Sequence, residues 1–176
     1  MRRLARRSVL LGALGLTGCG FEPVYMPSAG DTPGVAQREL AAIDVSLIPD
    51  RPGQLLRQAL QQRLGGSDPS APLYTLNVNY WIAGEGIGIL PDNTATYVRM
   101  FGNANWSLVA RDPARTPITS GYSRVQDSVN IFQNQYFGAE LDTEKTWTQI
   151  ANSMADQITL RLATFFRAQA ARQHLT

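Results

Sequence analysis

The chain has 176 residues, with 16 Lys+Arg against 14 Asp+Glu, one Cys and one His. That length suits one domain around one core, and the single Cys excludes an intramolecular disulfide. The lone His174, close to the C-terminus, leaves neither a Cys/His zinc set nor a base for a Ser or Cys triad. Two carboxylates held about 5–9 Å apart can do glycosidase chemistry. Here, however, most acids fall at helix starts, turns and strand exteriors, where solvation accounts for them, so the chain is read as non-enzymatic, with no cofactor and no metal.

The N-terminus carries Arg2, Arg3, Arg6 and Arg7, then an apolar run from Val9 to Leu16. This is the layout of a secretory signal peptide. The run is shorter than the roughly 20 apolar residues that a membrane span needs. Leu16-Thr17-Gly18-Cys19 follows and resembles the bacterial lipobox. That resemblance implies cleavage between Gly18 and Cys19, acylation of Cys19 and no spanning segment. Several acyl chains anchor firmly, because each buried CH₂ contributes about 0.8 kcal/mol. Removing residues 1–18 leaves 158 residues with 12 Lys+Arg against 14 Asp+Glu. The basic balance of the whole chain therefore belongs to the leader, which argues against a nucleic-acid binder. Gly20, at the place where Asp retains enteric lipoproteins in the inner membrane, implies the outer membrane by resemblance. Residues 20–40 are rich in Pro and Gly without strand or helix period, and are read as a tether.

Residues 41–48 alternate, with Ile43, Val45 and Leu47 on one face, as in a half-buried strand. Pro49 and Pro52 stop it. Leu55, Leu56, Ala59, Leu60 and Leu64 then recur at helical spacing, with Gly65-Gly66 to end the helix. A second strand places Tyr74, Leu76, Val78, Tyr80 and Ile82 on one face and Thr75, Asn77 and Asn79 on the other. Gly84-Glu85-Gly86-Ile87-Gly88 is read as a flexible strand connection, since no helix follows to make a phosphate loop. The third strand covers 94–111 with Val98, Met100, Ala104, Trp106, Leu108 and Ala110 inward, and Gly102 marking a bulge or bend. Asp112-Pro113 suits a type I turn. The fourth strand covers 118–131. Its apolar set shifts from even positions (Ile118, Tyr122) to odd ones (Val125, Val129, Ile131), which predicts a bulge near Ser123-Arg124. A long helix over 139–172 carries the stripe Trp147, Ile150, Ala151, Met154, Ala155, Ile158, Leu162 and Phe165. Leu160 and Phe166 lie off that stripe and are read as a widened core face.

The order β-α-β-β-β-α predicts an α+β two-layer sandwich: a four-stranded mixed sheet with two helices on one face and the other face polar. The organisation is a signal peptide at 1–18, a lipidated tether at 19–40 and one domain at 41–176. Two surface groups stand out. Tyr97, Arg99 and Phe101 lie opposite the apolar face of the third strand, and aromatic and Arg clusters favour interfaces. Arg111, Arg115 and Arg124 are read as gathering near the third turn, where Arg binds phosphates or acidic sugars through paired donors.

Three segments together resemble the lipopolysaccharide-assembly lipoprotein family LptE in its alphaproteobacterial form. They are Leu16 through Tyr25, Asp92 through Met100, and Ala151 through Phe166. The resemblance covers nearly the whole mature chain. It implies an outer-membrane, periplasm-facing, lipid-anchored protein of a Gram-negative envelope. The implied partners are an LptD-type outer-membrane β-barrel, which the family member plugs and helps to assemble, and lipopolysaccharide on its way to the cell surface. The family has no catalytic residues to transfer, and Tyr97, Arg99, Phe101, Arg111, Arg115 and Arg124 stand as candidate contacts. Two alternatives remain: an auxiliary lipoprotein of an envelope lipid-transport ABC system, and a hydrolytic lipoprotein, which the lack of a usable His disfavours. Replacing Cys19 by Ala is expected to leave the leader uncut and to abolish acylation. Metabolic labelling with palmitate and the size of the product check this, and a cut, labelled variant contradicts it.

Overall fold

A computed structural model describes residues 34–65, 72–89, 95–130 and 136–173. The elements in chain order are α1 (Val35–Ala41), β1 (Ile43–Val45), α2 (Arg51–Leu64), β2 (Tyr74–Ile89), β3 (Ala95–Ala110), β4 (Pro117–Asn130) and α3 (Tyr136–Gln173). One four-stranded sheet runs β1-β2-β3-β4. β1 pairs with β2 in parallel, while β2–β3 and β3–β4 are antiparallel. The α+β sandwich and the mixed sheet are as expected, but with three helices.

Period-2 alternation decides the layering. Leu76, Val78 and Tyr80 of β2 and Ala104, Trp106 and Leu108 of β3 are buried, all at even positions. They form one core with Leu56 and Leu60 of α2 and with Ile150, Met154, Ile158 and Leu162 of α3. Trp106 spans the layers. Its indole Nε1–H donates to Ser123 Oγ at 3.3 Å. Its ring fits because the opposite residue is Gly121, where a Cβ would come within 2.5 Å of Trp106 Cζ2. Gly102 serves the same purpose for α3: a Cβ there would meet Ile150, and no register shift occurs at Gly102, so it is no bulge.

α2 starts with Pro52 in its first turn and ends at Gly65, whose φ of 113° is left-handed. It is stapled to α3 by two ion pairs. Arg63 meets both oxygens of Asp156, at 2.5 and 3.1 Å, and Arg51 meets Glu144 at 2.6 Å. Such exposed pairs contribute roughly 0–1 kcal/mol each, so they orient the helices more than they hold them.

The structure corrects several expectations. Val35–Ala41 is a helix with Ala36 and Leu40 buried, not the end of a tether; residues 1–33 lie outside the described residues. β1 stops at Val45, which turns Leu47 out to solvent and puts Ile48 in the core. The glycine-rich run Gly84–Gly88 belongs to β2, in register with β3 up to an irregularity at Gly86–Gly88. No bulge lies at Ser123-Arg124. β4 carries its additional residue at Ile118, between the pairs Leu108↔Thr119 and Val109↔Pro117. The inward set of β4 is therefore odd from 119 onward, built of small residues beneath Trp106, and Tyr122 faces out. On α3, Phe166 is core while Leu160 is exposed and Phe165 only half-buried.

Tyr74 ties α1 to the sheet and to α3. Its hydroxyl donates to Glu39 Oε2 at 2.9 Å, and its ring centroid lies 5.5 Å from that of Phe166. Burial, then the hydrogen bond to Glu39 and its charge, push the phenol up to about 12. A folded-state value above the unfolded one of 10.0 means that this contribution is complete below pH 10 and is lost as pH rises towards about 12. Alkaline unfolding followed by circular dichroism is expected to shift to higher pH in Tyr74→Phe. Trp106→Ala is expected to cost about 3–5 kcal/mol, read by chemical denaturation, because it removes a buried indole and leaves a cavity.

Candidate functional site

Among the described residues the helices cover only the face that carries Leu76, Trp106 and Gly121. The opposite face, made of odd positions in β2 and β3 and of even positions in β4, is open, and the register stacks its side chains in cross-strand rows. Asn79, Asn105 and Tyr122 form one row; Trp81, Asn103 and Arg124 the next; Ala83, Phe101 and Gln126 the third; Glu85, Arg99 and Ser128 the fourth. Tyr97 follows on β3, its hydroxyl donating to Ser128 Oγ at 2.5 Å.

At the centre of this face the rows interlock. The Arg124 guanidinium lies 4.2 Å from the centroid of the Phe101 ring, a cation–π contact. Tyr122 donates its hydroxyl to Asn103 Oδ1 at 2.7 Å, and Asn103 Nδ2 donates to the Phe101 carbonyl at 3.2 Å. These contacts leave Asn103 only 7 % exposed on a face with no helix over it. Trp81 and Tyr122, by contrast, remain 43 % and 47 % exposed. From the far edge, Arg161 of α3 donates to the Tyr122 carbonyl at 2.6 Å and fixes the strand beneath. The result is a held platform of ring faces, amides and a guanidinium, suited to flat contacts with sugar rings, phosphates or another protein surface.

A second polar feature closes one end of the sheet. Arg111 Nη1 lies 3.6 Å from Asp44 Oδ2. The β3–β4 turn is set by Asp112, whose two carboxylate oxygens accept from Thr116 N–H at 2.9 Å and from Thr116 Oγ1 at 2.6 Å. Those bonds, the side-chain one foremost, hold the Asp112 carboxyl below its ordinary value. Arg115 sits in the turn at φ 49°. Arg111, Arg115, Asp44, Ser46 and Asn77 line a shallow polar depression of about 440 Å³.

Tyr97, Arg99, Phe101 and Arg124 thus share the open face. Arg111 and Arg115 share the turn. Arg124 does not join that turn: opposite Asn103, it belongs with Phe101 in the middle of the sheet. Sequence reasoning missed Trp81 and Asn103 and misplaced Tyr122. The alternation that set Tyr80 and Ile82 inward already placed Trp81 outward, but Tyr122 was hidden by the misplaced bulge. Cys19 and Gly18 lie outside the described residues. Among the described residues, no group of three or more His, Cys, Asp or Glu side chains is placed to hold a metal ion. No described helix is long and apolar enough to cross a membrane.

No family model matches the chain, and no curated protein matches it. Solved structures do. A "putative lipoprotein" from Caulobacter crescentus superposes with a TM-score of 0.63 at 19% identity, covering 75% of this chain and 96% of that one. Lipoprotein B from Nitrosomonas europaea gives 0.54 at 10% identity, covering 72% and 84%. Rare lipoprotein B from Shewanella oneidensis gives 0.51 at 10% identity, covering 69% and 92%. At these identities the likeness is one of fold.

Proposed function

We propose that this chain is an outer-membrane lipoprotein, anchored through Cys19, that plugs an LptD-type β-barrel, assists its assembly and takes part in lipopolysaccharide transport. The observation that carries the reading is a sheet with one face sealed by helices and the other presenting Trp81, Phe101, Tyr122, Arg99 and Arg124. A domain that works by being surrounded needs such a surface, and its pairing of ring faces with cations also matches phosphorylated sugars. Support comes from the fold, shared with structures that are described as lipoproteins, and from the lipobox-like Leu16–Cys19. The role is one of binding and positioning, without a chemical step.

The test is an affinity pull-down of the acylated protein from detergent-solubilised outer membranes, with its companions identified by mass. One large β-barrel in near-equal amount is the expected result. Recovery alone, or with an inner-membrane ABC complex, contradicts it. Arg99→Glu is expected to reduce recovery of the barrel or retention of lipopolysaccharide with the melting curve unchanged, because Arg99 is exposed on the open face. Unaltered recovery and retention would return Arg99 to a merely solvated role.

A further inference from the structure

The sheet has two edges, and they are treated differently. β4 begins with Pro117, and Arg161 of α3 reaches round to occupy the Tyr122 carbonyl. β2 has a neighbour on its outer side only over Tyr74–Leu76, because β1 ends at Val45. There the Tyr74 N–H donates to Ala42 O at 3.2 Å and the Leu76 carbonyl accepts from Ser46 N–H at 3.0 Å. Even-numbered residues of β2 therefore turn their main chain outward, and the two-residue period continues this through Val78, Tyr80, Ile82, Gly84 and Gly86. Among the described residues nothing pairs with those groups on that side. Trp81 and residues 83–87 are exposed. Exposed edges are ordinarily blunted by Pro, Lys or an inward charge. Tyr74–Ile89 contains no Pro, Lys or Arg, and its one charge is Glu85, on the open face.

Beside this edge, on the helix side, runs a groove of about 410 Å³. Its walls include Pro49, Pro52, Ile82, Met100 and Trp147, and among the described residues Asp50 is the one charged residue lining it. An unpaired strand edge with an apolar groove alongside is the arrangement by which domains add a strand. Main-chain hydrogen bonds hold the added segment, and pockets for alternate side chains select it.

We infer that the β2 edge from Val78 to Gly86, with this groove, binds one extended segment of another protein as an added strand. The segment continues along the edge that β1 leaves at Val45. Alternate side chains are apolar and enter the groove, the others lie along Trp81 and Ala83, and a Lys or Arg meets Asp50. A second copy of this chain fits less well. The same edge of a copy supplies no cation to meet Asp50, since Tyr74–Ile89 contains no Lys or Arg.

The experiment places p-benzoylphenylalanine at Glu85 or Ile87 of the full chain in intact cells, with Gln126 on β4 as the control position. Illumination is expected to couple both probes to one protein at one contiguous stretch with alternating apolar residues, and the Gln126 probe not to reach that stretch. Two variants block the edge. Gly86→Pro removes an outward donor, and Ala83→Lys places a cation on an exposed edge position. Gly86→Pro is expected to lower the yield from the Glu85 probe by about tenfold, the loss of roughly one to two hydrogen bonds, and Ala83→Lys to lower it by a similar factor, because a cation blunts a strand edge. Thermal unfolding of each variant checks that the domain is intact, and Ala83→Lys, on the surface, decides the matter if Gly86→Pro does not fold. Coupling to a second copy, no coupling, equal coupling of that stretch from Gln126, or a yield unmoved by Ala83→Lys overturns the inference.

Discussion

The seating of α3 across the inner face of the sheet is the contact on which the rest depends. Ile150, Met154, Ile158 and Leu162 are fully buried there, and α3 touches β3, β4 and both other helices. The approach is possible because the sheet is thin where the helix crosses it. Gly102 leaves room for Ile150, and Gly121 and Ser123 leave room for the Trp106 indole. A large side chain at any of these three positions would lift the helix and open the core along its length, which is why β4 reads as a weak strand by composition yet is held firmly in place.

Once that face is sealed, the other must be stabilised without a covering layer. It achieves this by contacts within the plane of the face: Arg124 over Phe101, Tyr122 to Asn103, and Asn103 back to the Phe101 carbonyl. These interactions restrict the rotamers of the side chains that a partner would meet. Little ordering is then left for the moment of contact, and the free-energy cost of immobilising long side chains, about 0.5–1.5 kcal/mol each, has already been met in the fold.

The fold was legible in the sequence to the extent that period and caps declare it. The alternation in Tyr74–Ile82 and the 3- and 4-residue spacing of Leu55–Leu64 both lead to the elements found. The failures have physical causes. Val35–Ala41 is a two-turn helix supported by Tyr74 and α3, and local propensity alone does not maintain so short a helix. The β4 register was misread because its inward residues are small to accommodate Trp106. Ordinary hydrophobic patterning gave the larger, outward Tyr122 the core position. The candidate site was half visible. Tyr97, Arg99 and Phe101 were readable from one strand, but their union with Trp81, Asn103 and Arg124 is a matter of cross-strand register, which one strand's sequence does not contain.

α3 occupies the last 38 residues of the described chain, and the face it covers is complete before it exists. The β2–β3–β4 meander is built from neighbours in sequence and can pair early. Its inner side, with Leu76, Val78, Trp106 and Leu108, then stays in water until α3 arrives. For a chain delivered N-terminus first, exposure to aggregation therefore lasts until α3 too has been released. Truncations within α3 should therefore be felt as loss of soluble protein before they are felt as loss of binding.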